Sequence, residues 1–183
     1  MINSVIITAL HQAAHYPYKD ELQQNVWITM TDPEEEVKVK KLSSRFKVRG
    51  VKHFYQFFRD WSDEDPETYI KERLNEQGPQ EQHVNNIISF LATFVDSPTV
   101  YNLGVNCFAG ISRSTAVGII AWVMAGKTPE EALHSILSVR PQAWPNLRML
   151  RFASTRLGVD IYSVVHKWKS EQKGIYEGQS KLE

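Results

Sequence analysis

The chain has 183 residues, 42% of them hydrophobic, enough for one domain with a full core. Lysine plus arginine and aspartate plus glutamate number 21 each, so net charge points to neither a nucleic acid nor a membrane surface. The single cysteine excludes an internal disulfide, and no apolar run approaches the ~18 residues of a bilayer span.

The start, "MINSVIITALHQ", lacks the basic opening and long apolar stretch of a signal peptide, so a soluble, cytoplasmic protein is expected. "SVIIT" (Ser4 to Thr8) and "NVWITM" (Asn25 to Met30) read as short buried strands. Asp32-Pro33 is a turn signal, and the charged stretch "KVKKLSSRFKVRGVK" leads to an aromatic strand over Lys52 to Phe58. An acidic loop, "DWSDEDPE", follows and closes at Pro66. "PETYIKERLNEQ" reads as a helix. "GPQEQHVNNIISFLATFVDS" does so more strongly, with Val84, Ile87, Ile88 and Leu91 on one face. "TVYNLGVN" (Thr99 to Asn106) is the next strand, and the apolar helix "STAVGIIAWVMAG" stops at Gly126. Thr128, Pro129 and Glu131 mark a capped helix start. "NLRMLRFASTRLG" is the last large helix expected, and the residues from Lys167 form a polar tail that frays.

Strands alternating with helices predict an α/β domain over residues 1–166, a central, mainly parallel β-sheet flanked by α-helices, with a tail over 167–183. Cys107 then lies where a strand ends and a helix begins, at the carboxyl edge of the sheet where such folds bind ligands. The stretch "VNCFAGISRST" has the chemistry for an anion. A helix start carries N–H groups without intrahelical partners and the positive end of the dipole. Gly110 lets those groups curl into a nest, and Arg113 can add a bidentate fork to two phosphate oxygens. The same field favours a thiolate at Cys107, the form that attacks. The competing reading is a small buried core cysteine. Gly, Arg and a hydroxyl at fixed offsets from the lone cysteine favour a nucleophile in a phosphate cradle.

"CFAGISRS" carries the Cys-x5-Arg-Ser/Thr signature and resembles the cysteine-dependent protein tyrosine phosphatase superfamily, its dual-specificity branch in particular. "TPEEALHSILSVRPQAWPNLRMLRFASTRLG", with Arg140, Pro145 and Asn146, is similar to the stretch after the loop in those enzymes. "VWITMTDPE" and "GPQEQHV" are similar to small bacterial and phage tyrosine-phosphatase-like proteins. The resemblance spans roughly residues 5–160 and is most specific over 106–115. It implies a phosphatase fold and hydrolysis of phosphotyrosine, phosphoserine or phosphothreonine on a protein or peptide through a cysteinyl-phosphate, without metal or cofactor. Phe108, Ala109, Gly110, Ile111, Ser112 and Arg113 would hold the phosphate, and Ser114 would stabilise the departing thiolate. An aspartate in the acidic loop would act as general acid. Its distance from the preceding strand selects Asp60, while the "WSD" echo of a Trp-Pro-Asp loop selects Asp63. Asn106 departs from the family, which carries His before the cysteine; this keeps a non-catalytic phosphopeptide-binding module as an alternative. An RNA 5′-triphosphatase is a second alternative and the only one that involves nucleic acid.

Other signals are weaker. His11 and His15 are four apart, as a metal pair on a helix would be, but no helix signal holds them. Lys38, Lys40, Lys41, Arg45, Lys47, Arg49 and Lys52 follow the acids Glu34 to Glu36; the default is a charge-paired exposed segment, the alternative an anion-recruiting surface. Trp144, Pro145 and Asn146 are expected to buttress the loop without chemistry of their own.

Overall fold

The computed structural model of the chain describes residues 1–13, 15, 24–63, 78–95 and 97–179. Four strands, β1 (Ile2–Ala9), β2 (Gln24–Thr31), β3 (Lys52–Phe57) and β4 (Tyr101–Cys107), form one sheet in the order β1-β4-β2-β3. All three pairings are parallel. Among the described residues the helices are α1 (Leu10–Ala13), α2 (Glu36–Val48), α3 (Glu81–Val95), α4 (Arg113–Met124), α5 (Pro129–Val139), α6 (Leu147–Leu157) and α7 (Ile161–Gln179). The helix expected over residues 66–77 lies outside the described residues.

Alternation along β2 divides the core. Val26, Ile28 and Met30 join the larger cluster, which includes residues of α3 to α7. Trp27 enters a smaller cluster with Leu10, Val39, Leu42 and Phe46, under α1 and α2. The central strand β4 is buried along nearly its whole length, as a parallel strand covered on both faces must be. Gly104 in β4 is required by Trp27: a Cβ there would stand 2.1 Å from the indole ring.

One element is added and one expectation is corrected. The charged stretch after Asp32, given no element by the sequence reading, is a helix, α2, with Val39, Leu42 and Phe46 buried along one side. Helix α6 is not the last: after Gly158, left-handed with φ 67°, α7 runs from Ile161 to Gln179. Position 167 therefore falls inside α7, where Lys169 is buried, its Nζ donating to Pro145 O at 3.1 Å and lying 4.6 Å over the Trp144 ring. At α5 the expected capping box forms, with Glu131 N–H donating to Thr128 Oγ1 (3.2 Å) and Thr128 N–H to Glu131 Oε2 (2.9 Å). Such a cap contributes about 1 kcal/mol.

Parallel register brings the carboxyl ends together: Ala9 pairs with Cys107, Thr31 with Phe57. The residues just after these ends, Leu10, Asp32, Phe58 to Asp60 and Phe108, share one edge of the sheet. This is where parallel α/β sheets place their ligands.

Candidate active site

The loop from Cys107 to Arg113 leaves β4 and opens α4. Its carbonyls are tied on the outside, one after another. Phe108 O accepts from Leu10 N–H (3.2 Å), and Ala109 O and Gly110 O accept from Nη2 and Nε of Arg140, both at 2.9 Å. Ile111 O accepts from Trp144 N–H (2.9 Å), and Ser112 O from Ala116 N–H (3.1 Å). Each peptide unit is planar, so tying the carbonyls outward turns the following N–H groups to the concave side. Gly110 makes the curl feasible with φ 72°; a Cβ there would also meet the backbone of Thr8 at 2.6 Å.

Cys107 is buried at the base of this curl. Its Sγ accepts from Gly110 N–H at 3.2 Å and lies 3.3 Å from Ser114 Oγ. Arg113, 1% exposed, turns back towards the strand ends. Its Nη1 donates to Asp32 Oδ1 at 2.9 Å and to Phe58 O, and its Nε lies 3.6 Å from Asp60 Oδ2. Nε makes no hydrogen bond among the described residues. A guanidinium this deep needs carboxylate neighbours, since an unpaired buried charge would cost several kcal/mol.

Asp60 and Asp63, left open by the sequence, occupy different surroundings. Asp60 Oδ1 accepts from Ser112 Oγ (2.7 Å) and Asn146 Nδ2 (2.9 Å), which holds the carboxylate over the loop. Asp63 pairs with Arg151 through two bonds of 2.7 and 3.2 Å, and that ion pair holds the Arg151 guanidinium above its ordinary value. Asn146 also caps α6 by accepting from Met149 N–H at 3.1 Å and donates to Trp61 O at 2.8 Å. One side chain thus joins a helix start to the carboxylate loop.

Of the residues expected to bind phosphate, Gly110 and Arg113 are buried, Ile111 and Ser112 half-buried, and Phe108 and Ala109 exposed. Three contributors were missed. Asp32 was read only as a turn residue, although it ends a strand at the edge that carries Cys107. Arg140 enters the sequence reading only through the resemblance, and Asn146 there and as a buttress of the loop, without its contact to the carboxylate.

Asn106 is fully buried on the α2 face of the sheet, and its Oδ1 accepts from Trp27 Nε1 (2.6 Å) and Thr29 Oγ1 (2.8 Å). Indole N–H only donates, so it fixes the amide orientation, and the single Thr29 proton goes to Oδ1. His53 Nε2, 2.9 Å from Thr29 Oγ1, must then carry the proton and donate. Burial pushes the His53 pKa down to about 4, which keeps the ring neutral in that role. Asn106 Nδ2 makes no hydrogen bond among the described residues. For His11 and His15, no group of three or more metal-ligating side chains forms among the described residues. No described helix is long and apolar enough to cross a membrane.

No family model and no curated protein matches the chain. Solved structures do. Tk-PTP in its active form matches at 15% identity, with a TM-score of 0.53, over 88% of this chain and 92% of its own. Human DUSP28 matches at 15% and 0.53, over 90% and 94%. PTPMT1, also solved with PI(5)P, matches at 19% and 0.54, over 92% and 95%. The chain has the fold of the protein tyrosine and dual-specificity phosphatases.

Proposed function

We propose that the protein is a metal-independent phosphatase that hydrolyses phosphotyrosine through a cysteinyl-phosphate. The observation that carries this reading is Cys107 Sγ at the base of a loop whose carbonyls are tied outward, with Asp60 accepting from Ser112 of that loop and lying 3.6 Å from Arg113 Nε. The inward N–H groups and Arg113 would hold the equatorial oxygens and neutralise their charge without a cation. Cys107 thiolate attacks phosphorus in line as the bond to the leaving oxygen breaks. The Asp60 carboxyl gives that oxygen its proton. Water then attacks the cysteinyl-phosphate, Asp60 takes a proton from it, and the thiolate leaves with the Ser114 hydroxyl donating to sulfur. Phe108, 55% exposed at the rim, offers a ring to an aromatic leaving group.

The test is hydrolysis of a simple aryl phosphate across pH 5 to 8 without added metal, wild type beside Cys107→Ser. The reading requires turnover by the wild type and none by the variant, with phosphate-analogue binding retained in both. Equal turnover by the two proteins would overturn the thiolate mechanism. Vanadate binding without turnover by either would instead identify a phosphopeptide-binding module, the alternative that Asn106 keeps open. Release of phosphate from triphosphate-ended RNA but not from phosphopeptides would establish the RNA reading.

A further inference from the structure

Residues 144–146, between α5 and α6, tie together three parts of the molecule that are remote in sequence. Trp144 N–H donates to Ile111 O at 2.9 Å and Asn146 N–H to Ser112 O at 3.4 Å, on the outside of the Cys107 loop. Asn146 Nδ2 donates to Asp60 Oδ1 and to Trp61 O, and Leu147 N–H to Ser62 Oγ at 3.2 Å, which anchors the carboxylate loop. Pro145 stands between these anchors, buried and without an N–H of its own. Its carbonyl accepts from Lys169 Nζ at 3.1 Å, reaching across from α7. Lys169 is 1% exposed, and its ammonium lies 4.6 Å over the Trp144 ring. Desolvating an ammonium is unfavourable, and a methionine would fill the same space without that cost. The ammonium supplies what an apolar chain lacks, a donor to Pro145 O and a cation over Trp144.

We propose that Lys169 is a positioning residue: from α7 it holds residues 144–146 so that Asn146 keeps the Asp60 carboxyl over the Cys107 loop. The inference rests on the phosphatase reading, with Asp60 as its acid, and adds a residue that touches neither substrate nor the reacting atoms. One peptide unit transmits the effect. The Pro145 carbonyl that accepts from Lys169 and the Asn146 N–H that donates to Ser112 O belong to the same planar group. Each bond polarises that group in favour of the other. Without the ammonium a buried carbonyl is left unsatisfied, and turning the peptide to relieve it carries Asn146 along. Asp60 then loses its Asn146 donor and keeps only Ser112 Oγ. Cys107 Sγ, bonded to Gly110 N–H and beside Ser114 Oγ, is not touched by that turn. The loss falls on proton transfer and spares the nucleophile.

The experiment compares Lys169→Met, which keeps the length of the side chain and removes its donor, with Lys169→Arg, which keeps donor and charge. Substrates are aryl phosphates with good and poor leaving groups. Lys169→Met is expected to lower kcat about tenfold for poor leaving groups and less than about twofold for good ones. Lys169→Arg should recover most of the loss. In an Asp60→Ala background, Lys169→Met should change kcat by less than about twofold, because the group it positions is gone. A merely structural lysine would lower the folded fraction, and hence the rate, for every leaving group alike and with or without Asp60. Either of those patterns, or no loss at all, would overturn the proposal. Amide hydrogen exchange in a Cys107→Ser background reads the same coupling without turnover. Lys169→Met should speed exchange over residues 58–62 about tenfold and leave β2 unchanged, and Lys169→Arg should not. A wild type inert towards aryl phosphates, with that exchange response intact, would overturn the enzyme reading alone. Unchanged exchange over 58–62 would overturn the positioning role.

Discussion

The loop from Cys107 to Arg113 has two flanks that treat positive charge in opposite ways. On the inner flank Arg113 is buried, with Asp32, Phe58 O and Asp60 around it. On the outer flank, beside Phe108 and Ala109, Lys41 and Arg45 are exposed with no carboxylate partner among the described residues. Burial explains the difference. A desolvated guanidinium is tolerable only beside opposite charge, whereas a solvated lysine or arginine loses little by standing alone. Asp32 holds Arg113 Nη1 while Nε makes no hydrogen bond among the described residues, so a phosphate that reached Arg113 would meet a guanidinium already aimed.

The hardest test of the inner flank is its carboxylate. Asp60→Ala should slow hydrolysis by roughly 10²–10⁴-fold for leaving groups that need a proton, and much less for good leaving groups. Asp63→Ala should change the rate little, because Asp63 is committed to Arg151. Steady-state kcat with a series of aryl phosphates separates the two. A larger loss in Asp63→Ala would assign the acid to the other aspartate. A smaller effect is expected at Asp32, which orients Arg113 through Nη1. Asp32→Ala should lower kcat/KM by about ten- to a hundredfold, mainly through KM, as the guanidinium loses its aim. Asp32→Asn retains an acceptor and should recover most of the loss if hydrogen-bond geometry is what Asp32 supplies. No recovery would assign the effect to its charge.

What the sequence conveyed and what it concealed differ in range. The four strands, the α5 cap and the loop itself rest on spacings within a few residues, and each was legible. Helix α2 was not, because its lysines and arginines overlie a thin apolar stripe of Val39, Leu42 and Phe46. Nor was α7, since Lys169 looks like a tail residue until Pro145 O and the Trp144 ring surround it. In the site, the contacts that distinguish Asp60 from Asp63 come from Asn146 and Arg151, more than eighty positions away. Loop spacing alone could rank those aspartates but not separate them. The Asp32 contact with Arg113 is equally remote in sequence, and only parallel register brings β2 and β4 to the same edge.

The mildest test lies behind the inner flank, in the chain from His53 through Thr29 to Asn106. His53 has a folded pKa of about 4, lowered by burial from an unfolded value of 6.5. Between those values the unfolded chain binds the proton and the folded one does not, so folding is favoured as pH rises. The stabilisation is complete above 6.5 and is lost as pH falls towards 4. Between pH 7 and pH 5 this amounts to about 2 kcal/mol. His83, stacked on Phe58 and also lowered by burial, adds a slope of the same sign. His53→Gln keeps an amide donor for Thr29 and removes the titration. Its unfolding free energy, from denaturant titrations at pH 7 and pH 5, should therefore fall by about 2 kcal/mol less than that of the wild type, with the His83 slope remaining. An unchanged difference between the two pH values would mean that the ring is not held neutral. A protonated ring would still donate from Nε2, so the Thr29 bond and the Asn106 orientation would stand and only the pH dependence assigned to His53 would be withdrawn.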